Sequence, residues 1–384
     1  MVAALLNKGT ANFTAEEFAR RSDLLGISVE AAACDDAIYI SATGLSKYAL
    51  QILEFLSEAV LQPLFPLKQL EKERLKALSQ IEAQKKEPAA LAAKLRDQVV
   101  FGQHPYGAYA TTESIHKITR EDVAAFHKKF FAPNNASLAV VGDFDTDKLL
   151  PKIKETFSDW ERRKLPAIPP PRSKIEGVSI HLVDRPRSVQ SNIIVAAKGI
   201  PRSNPDTPEL TVVNSVLGGG FSGRLFQNLR ERHGFTYGSS SFFDQKKLGG
   251  VFSATAEVRN EVTGKAITEV LEELKRIRQE PIPGAELDLQ KQYVVGNYLL
   301  SLENERRNVE RVQDIDLYGL PKDYYQKLIP RVRGLDPKEA RSLAHKYIRA
   351  EDVVVIVVGD AAEVKAQVET LGQVTVYDTE LRVR

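Results

Sequence analysis

Apolar residues recur along this chain at two spacings, and the alternation between them divides it into elements. Ala49, Ile52, Leu53, Leu56 and Val60 fall on one helical face, so a helix is expected from Leu45 until Pro63 and Pro66 stop it. Phe13 to Arg21 predicts a short helix, with Thr14 as N-cap and Glu17 three residues later. Ile27–Ala33 and Ala37–Thr43 flank Cys34-Asp35-Asp36 as a two-stranded hairpin. Lys68 to about Val100 reads as a long charged helical region, with Pro88 at a break or in the first turn of its second part. A helix follows through Val123, Phe126 and Phe130, then a strand over Ser137–Val141 that ends at Gly142-Asp143, then a helix over Lys148–Phe157. The same logic repeats afterwards. Strands are expected at 178–184, 191–197 and 249–257, and helices at 206–217, 264–279, 285–310 and 337–347. A last strand, Val353–Val358, ends again at Gly359-Asp360.

The pairing of ASLAVVGDFD with DVVVIVVGDA, each followed by a helix, is an internal repeat. Its position near the end of each half predicts two similar α+β domains, each with a sheet covered on one side by helices. Residues 161–174 are rich in proline and basic side chains, which favour extended chain over core, and read as the linker. The expected division is therefore 1–160, linker 161–174, and 175–384.

Composition narrows the function. Fifty-three basic and 51 acidic residues leave a formal charge of +2, which gives no general electrostatic case for a nucleic-acid partner. Apolar runs are too short for a transmembrane helix. Cys34 is the only cysteine, so an internal disulfide and a cysteine-based metal cluster are excluded.

The most informative stretch is Leu217 to Phe243, LGGGFSGRLFQNLRERHGFTYGSSSFF. Gly218–Gly220 allow a tight turn, Ser222 stands where an N-cap is wanted, and Leu225, Phe226 and Leu229 recur at helical spacing. Gly234 is placed to end that helix, and Phe235–Phe243 reads as a strand. Arg230 thus lies near a helix end and Tyr237 at a strand start. Folding back at Gly234 would bring a cationic fork and a phenolic hydroxyl over one site.

This stretch resembles the C-terminal half of the pitrilysin and mitochondrial-processing-peptidase family of zinc proteases. The resemblance implies α+β architecture: two homologous domains, each a mostly antiparallel sheet packed against helices. It also implies that Arg230 and Tyr237 bind the substrate backbone and help stabilise the tetrahedral intermediate. Catalysing members carry HxxEH on their first helix, with a further Glu about 76 residues later. In such a set two His and one Glu hold zinc, and the Glu within the motif activates water. Here LLNKGT matches the end of that helix. Ala4 then stands at the second His, Ala3 at the base, and Gln80 at the last ligand. Alanine cannot coordinate a metal, and a neutral amide lacks carboxylate charge, so no metal or other cofactor is expected in this chain. The resemblance further implies about fifty residues of strand upstream, so the start is expected to be truncated. The compartment, periplasmic or cytoplasmic, stays open.

No replacement cluster is visible. His104, His116 and His127 fall in different elements without ligand spacing, and His233 near Arg230 suits a helix end. The residues therefore imply a chain that does not hydrolyse peptides alone. The resemblance, to a family in which some members work as pairs, implies that the chain is the non-catalytic subunit of a heterodimeric zinc metalloendopeptidase, supplying Arg230 and Tyr237 to the zinc site of a homologous HxxEH-bearing partner, with peptide or unfolded polypeptide as substrate. The alternative is a purely structural or docking subunit.

Overall fold

The structure, a computed structural model, describes residues 1–172 and 174–384; Ser173, within the expected linker, lies outside the described residues. The chain forms two compact units. The first comprises Met1–Glu82 with Ala110–Ile168, and the second Ala83–Tyr109 with Pro169–Arg384.

In the first unit, α1 (Val2–Leu5), α2 (Ala15–Leu25), α3 (Ala49–Leu61) and α4 (Leu67–Lys85, up to Glu82) pack with α7 (Arg120–Phe130) around a small core. Thr14 and Glu17 close a reciprocal capping box at the start of α2, as their spacing predicts. Phe13, Phe18 and Phe55 then pack ring against ring, with centroids 5.0–6.2 Å apart. The hairpin forms as β1 (Ser28–Ala33) and β2 (Ile38–Thr43), paired antiparallel. Ser137–Val141, however, does not form the expected strand. No segment among the described residues pairs with it, and Leu138, Val140 and Val141 are exposed. A β-run without a hydrogen-bonding neighbour has nothing to hold it as a strand. Two further helices complete the unit, α6 (Thr112–Lys117) and α8 (Thr146–Thr156).

The second unit holds a six-stranded mixed sheet, in the order β5-β6-β4-β7-β3-β8. Its strands are β3 (Val178–Asp184), β4 (Gln190–Lys198), β5 (Thr236–Gln245), β6 (Gly250–Arg259), β7 (Val353–Gly359) and β8 (Gln373–Tyr377). β7 runs parallel to β3 and antiparallel to β4, and all seven of its residues are buried. That matches a continuous apolar run rather than an alternating one, because both faces of this sheet are covered and not one face as expected. One face carries Leu182, Val195, Phe252 and Val355. They pack against α9 (Thr207–Gly218), α11 (Thr263–Gln279), α15 (Pro337–Tyr347) and α16 (Ala361–Glu369). The other face carries Val183, Ile194, Val251 and Ile356, covered by α5 (Pro88–Phe101) through Leu91, Leu95 and Phe101. Pro88 sits at the first helical position of α5.

Ala83–Tyr109 thus belongs, by packing, with the half that follows the linker, which a division of the sequence at 161–174 does not anticipate. Buried polar contacts hold it there. Arg96 donates to Asp97 at 2.8 Å and to Ser253 at 3.3 Å, and approaches Asp244 at 3.5 Å. The expected helix over 285–310 divides into α12 (Gly284–Leu300) and α13 (Glu305–Tyr318), and α14 (Tyr324–Gly334) is an addition.

Candidate functional site

The glycine run closes α9 and presses its end onto β5. A Cβ on Gly218 would stand 2.4 Å from the Ser241 backbone nitrogen, so only glycine fits that approach. Gly220 adopts φ +154, and the chain re-enters helix at Arg224 with Gly223, not the expected Ser222, as N-cap. The Ser222 hydroxyl instead accepts a hydrogen bond from Gln290 at 2.9 Å.

From Arg224 the chain is only briefly α-helical. After α10 (Arg224–Phe226), residues Gln227–Arg232 form a π turn, a wider coil that often marks functional sites. Leu225, Phe226 and Leu229 still face the core, as their spacing predicts. Gly234, at φ +61, ends the turn, and Phe235 donates back to the Leu229 carbonyl at 2.8 Å.

Arg230 and Tyr237 are brought together, though not through the phenol. Arg230 Nη1 donates to the backbone carbonyl of Tyr237 at 3.1 Å. The guanidinium lies 5.0 Å from the centre of the Phe226 ring, and Nε lies 3.6 Å from Glu231. These contacts leave most of the five N–H donors of the fork unused. Across from it, β5 is irregular between Thr236 and Ser239. The Thr236 hydroxyl donates to the Gly238 carbonyl at 2.7 Å and accepts from the Gly238 N–H at 3.0 Å. A bulge re-aims the side chain it carries. Tyr237 is 85% exposed, and its hydroxyl makes no hydrogen bond among the described residues. The Tyr237 hydroxyl is a free O–H donor, and Arg230, bonded to the backbone of the same residue, is a partly free cationic fork; each is a group suited to meeting carbonyl oxygens. Spacing marks Phe226 as a core residue but not as the ring under Arg230, and does not single out Thr236; these supporting roles depend on the π turn and the bulge.

Behind the turn, Arg224 grips both oxygens of Glu286 at 2.8 and 2.7 Å, and Asn228 donates to Glu269 at 3.0 Å and to Glu273 at 2.8 Å. The Glu286 pair helps hold the Arg224 guanidinium charge despite burial.

The degenerate positions lie in the first unit. Ala3 is buried in α1, Ala4 is half-buried beside it, and Gln80 is exposed on α4. None offers a metal-binding atom of the kind zinc requires, so the residues present do not fit the ion. Among the described residues, no group of three or more His, Cys, Asp or Glu side chains is placed to hold a metal. His104 caps the Pro105–Gly107 turn, and His127 shares a hydrogen bond of 2.8 Å with the Val60 carbonyl between Phe65 and Phe131. His116 is exposed in the last turn of α6, and His233 stacks on Phe235 with 4.9 Å between ring centres. Cys34 is exposed at the hairpin turn.

Comparison with known proteins decides the family. Residues 1–111 match the profile described as Insulinase (Peptidase family M16), and residues 117–294 the one described as Peptidase M16 inactive domain. The chain belongs to peptidase family M16. It is 25% identical over 349 residues to an uncharacterised zinc protease of Mycobacterium leprae, covering 90% of this chain and 78% of that one. It is 23% identical to the non-peptidase homologue YmxG of Helicobacter pylori, covering 94% of this chain and 84% of that one. Among solved structures, a peptidase M16 inactive domain from Pseudomonas fluorescens superposes with a TM-score of 0.86 at 26% identity, covering 93% of this chain and 87% of that one. The M16 fold expected from Leu217–Phe243 is therefore the fold observed.

Proposed function

We propose that this M16 chain is the non-catalytic subunit of a heterodimeric zinc metalloendopeptidase, and that Arg230 and Tyr237 act on peptide bound at the zinc site of an HxxEH-bearing partner. The observation that carries the reading is an asymmetry within one chain. Ala3, Ala4 and Gln80 have lost every group able to hold a metal or activate water. The wall bearing Arg230 and Tyr237 is meanwhile built in detail, with a π turn, a bulge and a phenol 85% exposed. A phenol held out in water contributes little to stability, so its presentation on a bulge whose backbone Arg230 holds is better explained by a task at the surface. One relative is named a non-peptidase homologue, and residues 117–294 match the profile described as the inactive domain, both of which support the reading.

The two residues would divide the work. The guanidinium, anchored at Nη1, has further N–H donors to hold the peptide backbone. The Tyr237 hydroxyl would donate to the carbonyl oxygen as negative charge develops on it, so its interaction strengthens in the transition state and lowers the barrier.

The test is reconstitution. The chain alone, with zinc added, should leave an unstructured reporter peptide intact. Mixed with a homologous HxxEH subunit from the same cell, it should form a complex that cleaves the peptide faster than that subunit alone. Cleavage by this chain alone, or a partner no faster with it than without it, would refute the reading.

A further inference from the structure

Helix α12, in the second unit, carries apolar residues on two faces. Leu287, Gln290 and Val295 are buried on one of them, where Gln290 accepts from the Ser215 hydroxyl of α9 at 2.6 Å. On the other, Leu289, Tyr293 and Leu300 are 52%, 49% and 69% exposed, with Leu299 exposed at their flank. A helix face turned to water ordinarily carries polar residues, and a helix apolar all round is one that is covered all round. Leu289, Tyr293, Gly296 and Leu300 follow one another at spacings of four, three and four, the seam along which one helix packs against another.

Gly296 is the hole in this seam. A Cβ there would meet no heavy atom within 4 Å, so the packing of this chain does not require glycine at that place. Glycine inside a helix is destabilising relative to alanine, and what it gives in return is room for a close approach. Tyr293 is the knob one turn away. The loop at Gly220 steadies its hydroxyl from one side, where a Cβ would lie 3.6 Å from Oη, and about half of the residue stays exposed. The order of the four residues is self-complementary. Turned end over end about the point between Val294 and Val295, the seam sets Tyr293 opposite Gly296 of a second copy and Leu289 opposite Leu300, and each match occurs twice. A parallel alignment would instead set ring against ring and gap against gap.

We propose that the exposed face of α12 is a homodimer interface, on which α12 of a second copy of this chain packs antiparallel, with Tyr293 of each copy seated at Gly296 of the other. A two-fold axis across the helix produces this match, and two-fold dimers are the commonest protein oligomers. The occupant is a second copy because both halves of the complementary pattern lie in one seam. The seam runs for about three turns, so the interface is at the small end of specific ones and the dimer is reversible. Neither Arg230 nor Tyr237 takes part, and the interface stands or falls whether or not those residues act on a zinc site.

The experiment is sedimentation velocity on the intact chain over a concentration series through the micromolar range, which should show a monomer passing reversibly into a dimer. Gly296→Leu fills the hole and Leu289→Ser removes an apolar contact; each should weaken dimerisation roughly tenfold or more, with thermal unfolding of the monomer no lower than in the parent. Orientation is read by cross-linking in a Cys34→Ser background, since Cys34 is the only cysteine and is exposed. Leu289→Cys combined with Leu300→Cys should give a disulfide-linked dimer on mild oxidation, and neither change alone should. A chain that stays monomeric throughout would overturn the proposal. So would dimerisation unaffected by Gly296→Leu and Leu289→Ser, which would place the contact on another surface. Cross-linking by either cysteine alone as readily as by the pair, or none by the pair, would rule out the antiparallel seam.

Discussion

At the scale of single residues, the molecule shows how far a side chain's role depends on what presses against it. Gly218 is a packing residue. Any Cβ there would meet the Ser241 backbone at 2.4 Å, so α9 and β5 would have to part. Gly218→Ala should cost about 1–3 kcal/mol and lower the melting temperature of the second unit in calorimetry; an unchanged melting temperature would mean that the contact relaxes freely. His127 makes a different case. Burial holds its imidazole below the usual 6.5, partly opposed by the hydrogen bond to the Val60 carbonyl and aided by Arg163. A group whose pKa is lowered on folding prefers its neutral form in the native state. Its contribution is complete above about 6.5 and is lost as pH falls below that value through the folded pKa. Thermal unfolding followed from pH 7.5 to 5 should show the first unit weakening on the acid side. His127→Phe should flatten that slope while lowering stability at neutral pH; an equal slope in both proteins would remove His127 as its source.

At the scale of elements, periodicity made most of this chain readable. β3 forms over the expected 178–184 and α15 over the expected 337–347, because apolar period and flanking caps agreed there. Leu225, Phe226 and Leu229 likewise announced which way their segment faces. Three elements were not legible, for different reasons. Ser137–Val141 has the composition of a strand, but strand formation belongs to a pair, and composition carries no record of the neighbour. The π turn at Gln227–Arg232 differs from an α-helix by one residue per hydrogen-bonded loop, which leaves the apolar pattern almost unchanged. The third is the placement of α5. Its apolar residues could cover any sheet, and nothing local states that Leu91 and Leu95 lie against β4 and β7. The Arg230–Tyr237 pairing was legible because Gly234 folds the chain back within seven residues; the carbonyl contact was not, since it depends on the bulge at Thr236–Ser239. The α5 packing gives a prediction. Leu95 is fully buried against the sheet, so Leu95→Ala should destabilise the second unit by about 2–5 kcal/mol, although it lies far from the sheet strands in sequence. Hydrogen exchange should then quicken in β4 and β7; protected strands in the variant would show that α5 is dispensable.

At the scale of the whole molecule, the chain passes between its compact units after Glu82, after Tyr109 and after Ile168. A single cut in the proline-rich 161–174 therefore leaves Ala83–Tyr109, attached to the N-terminal fragment, embedded in the sheet of the C-terminal one. Limited proteolysis there should give two bands under denaturing conditions that still elute as one species from a native sizing column. Separate elution would mean that the α5 contacts are too weak to join the halves. The larger division is between a unit without metal-binding groups at Ala3, Ala4 and Gln80 and a unit that displays Arg230 and Tyr237 in detail. A task for the second unit at another subunit's zinc would explain both. Peptide cleavage by that subunit paired with the Tyr237→Phe chain tests this most directly, with complex mass and zinc content checked alongside. Loss of one oxyanion donor costs about 2.7–4 kcal/mol, so turnover should fall roughly a hundred- to a thousandfold in a complex that is otherwise intact. An intact complex with unchanged turnover would contradict the shared site and leave a structural subunit in its place.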